Sequence, residues 1–252
     1  MSADHVNAAQ PQAVTTSDRP DLAEQGKAAL LPGWPEFIFH DQVSAGLIDR
    51  AGECFPQFDV RLVAGDEVVA GAWAVALRWD GTVRSLPGGY DGALVRSVTE
   101  HQSALRPDTL CAMAAAVRAD CQGAGLGGTL LRELRARAAR AGLDRMIAPV
   151  RPVLKSRYPL TPMARFARWT RPDGTHLDPW IRTHQRLGAT IIGPAARSMV
   201  VTGTVAEWQD WTGLAFPESG RYVVPGALDL LEIDAERGHG TYAETNLWMR
   251  HA

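Results

Sequence analysis

Four glycines lie close together in one short stretch of the chain. The sequence VRADCQGAGLGGTLL, residues 117–131, places them at Gly123, Gly125, Gly127 and Gly128, directly before a segment with helical apolar spacing. Unpaired backbone N–H groups at a helix N-terminus, aligned with the helix dipole, bind anions. Glycine also lets a phosphate approach the backbone, because no Cβ stands in the way. The chemistry that these residues indicate is therefore phosphate binding.

Three kinds of glycine-rich loop bind phosphate groups in this way. A P-loop ends in Gly-Lys-Ser/Thr, and no lysine follows Gly127 here, so that loop is excluded. Gly123, Gly125 and Gly128 do satisfy the G-x-G-x-x-G pattern of dinucleotide-binding folds. However, the loop begins five residues after Val117, too far for the tight first turn of that fold, and the next strand lacks the ribose-binding acid. A nicotinamide-dependent oxidoreductase remains the weaker alternative.

The third kind of loop matches more positions. The stretch resembles the acyl-CoA-binding motif of the GNAT superfamily of N-acetyltransferases, in which a strand ends in valine and Gln/Arg-x-x-Gly-x-Gly/Ala opens a helix. Val117, Gln122, Gly125 and Gly127 hold these places, and Ala119 stands where many members carry proline. The resemblance covers roughly residues 58–202.

The resemblance implies an α/β fold of the GNAT type, with a central mixed sheet flanked by helices. In such proteins two neighbouring parallel strands splay apart and hold the pantetheine arm, while the loop amides hold the pyrophosphate of coenzyme A. The residues that it implies for acyl-CoA binding are Ala115, Val117, Gln122, Gly123, Ala124, Gly125, Leu126, Gly127 and Gly128.

A second segment extends the resemblance to catalysis. Members often carry a helix of the form Tyr-x-x-x-Gly-Phe, whose tyrosine protonates the departing thiolate. Aligning its glycine on Gly188 puts His184 in the tyrosine position. An imidazole can donate a proton near neutral pH, so His184 is the predicted general acid, with a hydrogen-bonded structural histidine as the alternative.

The proton acceptor for the attacking amine is not fixed by the sequence. The candidates are Asp120 beside the loop, His176 and Asp178 before the last motif helix, and Glu232 near the C-terminus. Each has a structural alternative. We favour a helix cap for Asp178 and a solvated loop charge for Asp120.

The resemblance implies an N-acyltransferase that moves an acetyl or other small acyl group from acyl-CoA to the amine of a small-molecule acceptor by direct transfer. Because the tyrosine is absent, a noncatalytic acyl-CoA-binding or sensing module is the alternative. Acyl-CoA is expected as co-substrate and no metal is expected, since Cys54, Cys111 and Cys121 are widely spaced. A homodimer is left open.

Composition limits the remaining classes. The chain has 252 residues, 46% of them hydrophobic, and a formal net charge of −2. These values predict a full core and no basic field for nucleic acid. No apolar run is long enough for a membrane span, and the first twenty residues lack a signal core, so we expect a cytoplasmic protein without membrane contact.

The elements that must position the loop follow from periodicity. Residues 109–117 lack polar alternation and predict a buried strand, residues 126–141 an amphipathic helix, and residues 145–150 a second strand parallel to the first. Helices are also expected after Asp41, Asp91 and Asp178 as caps. Further predictions are a hairpin around residues 65–66, two short strands at 189–193 and 198–203, and a helix around residues 208–211.

The expected organisation is a mobile N-terminal arm over residues 1–20 and a single domain over residues 21–252. Residues 152–176 form an insertion, and residues 203–252 form a C-terminal extension outside the resemblance. The insertion is basic and aromatic, which is equally compatible with contact to the 3′-phosphate and adenine of coenzyme A or to a carboxylated substrate, and with amphipathic packing that leaves a solvated basic face. Its residues of interest are Lys155, Arg157, Tyr158, Arg165, Phe166, Arg168 and Trp169.

Overall fold

A computed structural model describes residues 11–252 as one twisted sheet covered by helices. The strands are β1 Gln12–Thr15, β2 Asp59–Ala64, β3 Glu67–Leu77, β4 Thr109–Val117, β5 Arg145–Val150, β6 Thr190–Thr204, β7 Gly220–Tyr222, β8 Leu231–Asp234 and β9 His239–His251. The helices are α1 Ala23–Leu30, α2 Gln42–Cys54, α3 Gly89–Gln102, α4 Leu126–Arg140, α5 Met163–Phe166, α6 Pro179–Arg186 and α7 Val205–Thr212.

The sheet is mixed, as predicted. Its strand order is β1-β2-β3-β4-β5-β9-β8-β7, and β6 pairs with β9 as well. β4 and β5 are parallel, whereas the other neighbouring strands are antiparallel. The parallel pair is joined through α4, which is the connection that parallel strands require.

The two faces of the sheet carry different helices. α4 packs against β2, β3 and β4 and also touches α6, while α2 and α3 pack on each other and α3 lies on β3 and β6. Side chains of β9 alternate between the faces: His251 contacts α6, whereas Asn246 contacts Ser198, which in turn binds the start of α3. We call these the α4 face and the α3 face.

Several predicted elements are confirmed. Asp41 caps α2 by accepting from the N–H groups of Val43 and Ser44 at 3.2 and 2.9 Å. Asp178 caps α6 in the same way. The hairpin between β2 and β3 turns at residues 65–66, and α7 occupies the predicted position with a capping box at Thr204.

Three expectations need correction at the chain ends and in β6. Residues 1–10 of the expected mobile arm lie outside the described residues, but Gln12–Thr15 is an edge strand on β2, where Val14 packs with Leu22 and Val68. The two short strands are one strand, β6, whose register is interrupted by a bulge between Ala195 and Met199.

The C-terminal extension is also not peripheral. β9 pairs with β5, β6 and β8 and therefore lies within the sheet. The buried positions along residues 239–246 include the polar residues Glu244 and Asn246, so the sequence has no apolar pattern there from which the burial of this strand could be predicted. No helix in residues 11–252 is long and apolar enough to cross a membrane.

Candidate active site

A cleft opens between the two parallel strands. β4 pairs with β5 only over Thr109–Cys111 opposite Arg145–Ile147. Beyond that point β4 stays on β3 as far as Val117, and β5 stays on β9 as far as Val150. Within the described residues, the β5-side edge of residues 112–117 therefore has no strand partner. The predicted separation of the strands is confirmed by this register.

Pro149 supplies a local reason for the separation. It lies opposite Trp248 of β9. Proline has no N–H, so Pro149 can donate a backbone hydrogen bond to neither neighbouring strand. The ladder between β4 and β5 cannot continue through a residue that has no donor. A proline inside a predicted parallel strand was the sequence signal for this feature, and it was overlooked.

The glycine loop presents free backbone donors beside this cleft. In residues 11–252 no backbone or side-chain hydrogen bond uses the N–H groups of residues 123–127 as donors. Gly123 and Gly125 have φ values of 85° and 78°, and Gly125 is the N-cap residue of α4. A residue with a Cβ is strained in this region of φ, so these two glycines permit the loop to aim its amides outward. The result is a set of free N–H groups at the N-terminus of α4 that can bind an anion, and we call this site the anion seat.

Gly127 has a different role from its neighbours. A Cβ built on it would lie 2.8 Å from Cζ3 of Trp180, whereas nothing lies within 4 Å of a Cβ on Gly123 or Gly125. The ring of Trp180 on α6 thus packs directly against the first turn of α4. Gly127 is required for close packing of the two helices and not for a left-handed backbone.

Arg118 braces the loop through Asp120. Its guanidinium donates to both carboxylate oxygens of Asp120 at 2.7 and 3.0 Å and to Glu67 at 2.9 Å. Gln122 spans the loop by donating to the Val117 carbonyl at 3.3 Å. The hydrogen bonds from Arg118 hold the pKa of Asp120 below its ordinary value, so this carboxylate is a poor proton acceptor. Asp120 fits a bracing role and not the predicted catalytic one.

His184 lies in a buried pair with His251. The side chain is 1% exposed, and its Nδ1 lies 2.9 Å from Nε2 of His251. Burial, followed by the neighbouring His251, lowers the pKa of His184 to about 3, and burial lowers that of His251 to about 4. Both rings are therefore neutral at pH 7, which contradicts an imidazolium general acid. The Nε2 atom of His184 is buried without a partner, and donation from a neutral ring stays a prediction.

The other candidate proton acceptors are occupied or distant. Asp178 is fully buried and caps α6, and it also accepts from the Leu154 N–H at 2.7 Å. His176 accepts from the Asp178 N–H at 2.9 Å, and burial lowers its pKa. Glu232 is exposed on β8, where it faces Arg221 at 3.6 Å, and β5 and β9 separate β8 from β4 in the sheet. Its predicted catalytic role finds no support in this position.

The insertion packs more tightly than a cofactor-binding surface. Lys155 is fully buried, and its ammonium donates to the carbonyls of Tyr158, at 3.1 Å, and Leu228. Phe166 is also fully buried. These two residues therefore cannot contact coenzyme A as expected. The arginines that remain exposed in this segment are Arg157, Arg165, Arg168 and Arg171.

Two acids on the α3 face were not recognised as functional candidates. Asp91 does not cap α3, which begins at Gly89; its carboxylate accepts from the Val200 N–H at 3.1 Å, while its other oxygen is buried without a partner. Burial, and then the nearby carboxyl of Asp41, raise the pKa of Asp91 to about 8. The ring of the preceding Tyr90 packs edge-on against Trp73. Trp73 pairs with Ala114, in the part of β4 that has left β5.

The second missed acid is Glu244 on β9. It is 1% exposed and forms an ion pair with Arg151, whose Nε lies 3.0 Å from both carboxylate oxygens. Tyr242 and Asn246 each donate to it at 2.8 Å. Arg151 directly follows β5, so the pair lies where the cleft opens. No local sequence signal links residues 151 and 244.

Comparisons with known proteins agree with this architecture. No protein-family model matches the chain. An arginine N-acetyltransferase of Aspergillus versicolor is 27% identical over 269 residues, which cover 94% of this chain and 92% of the relative. The solved loading GNATL domain of CurA from Lyngbya majuscula matches with a TM-score of 0.57 at 16% identity over 96% of each chain. The GphF GNAT-like decarboxylase, solved with isobutyryl-CoA, gives a TM-score of 0.51 at 16% identity over 96% of this chain and 98% of that one.

The parts of the cleft thus converge. In the mixed sheet, β4 and β5 separate after three residues of parallel pairing, and the free N–H groups at the start of α4 lie beside the gap between them. The two solved GNAT-like structures share this fold over 96% of the chain. The chain therefore has the fold of these solved GNAT-like proteins, and along most of its length its sequence is similar to that of an arginine N-acetyltransferase.

Proposed function

We propose that the protein is an N-acyltransferase that moves an acetyl or other small acyl group from acyl-CoA to the amine of a small molecule. The observation that carries this proposal is the set of free N–H groups over residues 123–127 at the mouth of the β4–β5 cleft. Donors of this kind suit the pyrophosphate of coenzyme A. The unpaired edge of residues 112–117 offers backbone partners to the pantetheine arm.

The proposed acceptor is a cationic metabolite of the arginine type. The relative from Aspergillus versicolor is named for arginine. The α3 face of this chain supports a cationic acceptor, because Asp91 lies there in the first turn of α3 and is partly exposed. Carboxylates attract an ammonium or guanidinium group and orient it by hydrogen bonds.

Direct transfer requires a neutral amine in line with the thioester carbonyl. The amine nitrogen forms a bond to the carbonyl carbon, the C–S bond breaks, the amine proton leaves, and the thiolate takes up a proton. In the proposal a β4 amide near Val117 stabilises the oxygen of the tetrahedral intermediate. Cofactor and acceptor approach from opposite faces of the sheet.

We assign the amine proton to Asp91. Its raised pKa, about 8, makes its carboxylate a better base than an ordinary aspartate. The packing of Tyr90 on Trp73, opposite Ala114, supports a position beside the divided part of β4. Protonation of the thiolate is assigned to water or to the neutral His184 ring. A cytoplasmic location and a homodimer stay predictions from the sequence.

The test is a thiol-release assay with acetyl-CoA and longer acyl-CoAs against a library of amines that includes arginine, agmatine and lysine. We expect free thiol in the presence of a cationic amine and an acylated amine in the mass spectrum. Binding of acetyl-CoA without thiol release from any amine would instead indicate the noncatalytic module.

Two further arms separate the other classes. Thermal stabilisation by NAD or NADP and not by acetyl-CoA would favour the oxidoreductase. A malonyl-type thioester tests the chemistry named for the GphF structure. Release of carbon dioxide without free thiol would replace acyl transfer by decarboxylation.

A further inference from the structure

Glu244 is a buried charge whose hydrogen bonds are all used within the protein. Its two carboxylate oxygens receive donors from Arg151, Tyr242 and Asn246. A carboxylate so completely satisfied is not free to bind substrate or to accept its proton. The role of Glu244 must therefore lie in what it holds in place.

Arg151 is the group that Glu244 fixes. Besides the ion pair through its Nε, its Nη2 donates to the Gly226 carbonyl at 2.6 Å, and its guanidinium lies 5.9 Å from the ring centre of Trp34. All these partners lie on the far side of β5 from β4, or before β2 in the chain. Arg151 is thus anchored toward β9 and away from β4.

The anchor sits at the position where the cleft needs it. Val150, the last residue of β5, pairs with Leu247, and the next residue reaches three positions further along β9 to Glu244. Pro149 prevents pairing with β4 at one position only. Without Arg151 on Glu244, the end of β5 would lose its attachment beyond Leu247 and could approach the unpaired edge of β4.

The same carboxylate also reaches the acceptor side. Asn246 donates to Glu244 and accepts from the Ser198 hydroxyl at 2.6 Å, and that hydroxyl accepts from the Tyr90 N–H at 2.8 Å. Tyr90 precedes Asp91 in the first turn of α3. One continuous network therefore connects the end of β5 to the helix that carries the proposed proton acceptor.

We propose that Glu244, acting through Arg151, is a positioning residue that holds the end of β5 on β9 and keeps the cleft open for the pantetheine arm of acyl-CoA. This inference rests on the proposed function. It makes the width of the channel depend on a buried ion pair, and it gives the glycine loop no part in setting that width. Binding of the nucleotide part of coenzyme A should therefore be independent of Glu244.

The experiment compares two ligands in three proteins. The ligands are acetyl-CoA and the 3′-phosphate of ADP, which carries the pyrophosphate without the pantetheine arm. The proteins are the wild type, Glu244→Gln, and the double variant Arg151→Met with Glu244→Met, in which apolar side chains replace the pair and no buried charge is left alone. Calorimetry gives both affinities, and circular dichroism confirms that each variant is folded.

For both variants we expect roughly tenfold weaker binding of acetyl-CoA and unchanged binding of the ADP derivative, because only the arm depends on the channel. Hydrogen exchange should show greater protection of residues 112–117 as the cleft narrows. The matched control is Asp59→Asn, which removes a partly buried ion pair with Arg61 in the same sheet; both affinities should stay at the wild-type values.

Equal losses for the two ligands, or no loss for either, would overturn the inference. Failure of the proposed function gives a different result: wild-type protein would bind neither ligand if the chain does not use acyl-CoA, and it would bind both but release no thiol in the amine assay if the chain is a noncatalytic module. In the double variant, unchanged protection of residues 112–117 would also contradict a role in channel width.

Discussion

The two faces of the sheet contribute different chemical groups to the proposed site, backbone amides on the α4 face and carboxyl side chains on the α3 face. On the α4 face the loop uses backbone amides held by Gly123 and Gly125, and the ionisable rings beneath α6 are neutral. On the α3 face the proposed site depends on carboxyl side chains: Asp91 is the proposed proton acceptor, and the buried Glu244 holds Arg151. A backbone site depends on local conformation, whereas a side-chain site depends on contacts between distant segments.

This difference has a consequence for pH. A neutral buried histidine takes up a proton more easily when unfolded, so the α4 face loses stability in acid. A buried aspartate with a raised pKa loses its proton more easily when unfolded, so the α3 face loses stability as the pH rises toward 8. The two faces should therefore respond to pH in opposite directions, and the following predictions test the distinction.

The largest effect is expected for Asp91→Asn. Loss of the proposed proton acceptor should lower kcat by roughly 10²- to 10⁴-fold and remove the rise in activity near pH 8. The same change should raise the melting temperature, and the gain should grow between pH 4 and pH 8, because the ionised form no longer has to be buried. Steady-state kinetics and calorimetry across this range provide the measurements.

Glu232→Gln is the matched control for Asp91→Asn, since it changes an exposed acid that sequence reasoning had placed among the catalytic candidates. Its activity and stability should match the wild type. A variant Asp91→Asn with a normal pH profile would remove Asp91 from the reaction.

The next effect concerns the buried histidine pair. The pKa values of about 3 and about 4 lie below the unfolded value, so stability is present above pH 6.5 and is lost as the pH falls toward 4. At pH 5 the loss should be about 2 kcal/mol for each ring. Urea unfolding at pH 7 and pH 5 measures it.

His184→Phe combined with His251→Leu should flatten that dependence, whereas His239→Gln, which changes an exposed histidine, should not. The single variant His184→Phe also tests the general-acid prediction. A large fall in turnover with unchanged acetyl-CoA affinity would support it, and full activity would leave the ring with a structural role alone.

A moderate effect is expected for Gly125→Val in the loop. A β-branched residue is strained at a φ of 78°, so the amides should turn away from the anion seat and acetyl-CoA affinity should fall roughly tenfold or more. Gly46→Val on the exposed face of α2, where a Cβ meets nothing, serves as control. Wild-type affinity in the loop variant would contradict the anion seat.

The smallest effect is expected for Gly127→Ala. Its Cβ would press on Trp180 at 2.8 Å, so the ring must shift by a few tenths of an ångström at a cost of about 1 kcal/mol in unfolding free energy. Adding Trp180→Leu should relieve the contact, which a double-mutant cycle measures. Equal destabilisation by Gly127→Ala in both backgrounds would show that the glycine acts through something other than the ring.

The sequence predicted what is encoded locally. The strand, glycine loop, helix and strand over residues 109–150 are confirmed because periodicity and glycine spacing specify them over short distances. Asp41 and Asp178 were correctly identified as caps for the same reason. Asp91 was wrongly predicted to cap α3, because an aspartate near the start of a helix is normally a cap. Its carboxylate instead accepts a hydrogen bond from the N–H of Val200, which is more than a hundred residues away in the sequence.

The side-chain network could not be predicted from one sequence. Arg151 and Glu244 meet only because β9 returns beside β5, and no spacing rule connects them. The choice of Glu232 as a catalytic candidate shows the same limit. The strand register decides which acid near the C-terminus is buried, and one sequence does not give that register. Pro149 could be seen in the sequence, but its effect on strand pairing could be inferred only once both neighbours of β5 were known.

The central place of β9 has a consequence for how the protein is made. A ribosome delivers this segment after every other strand described here, and the β5 wall of the channel depends on it. A nascent chain can assemble β2, β3, β4 and α4 before that, but it cannot fix β5 until β9 emerges. Coenzyme A should therefore be unable to rescue chains stalled before residue 239, and a destabilising change in β9 should impair maturation more than one at the β1 edge.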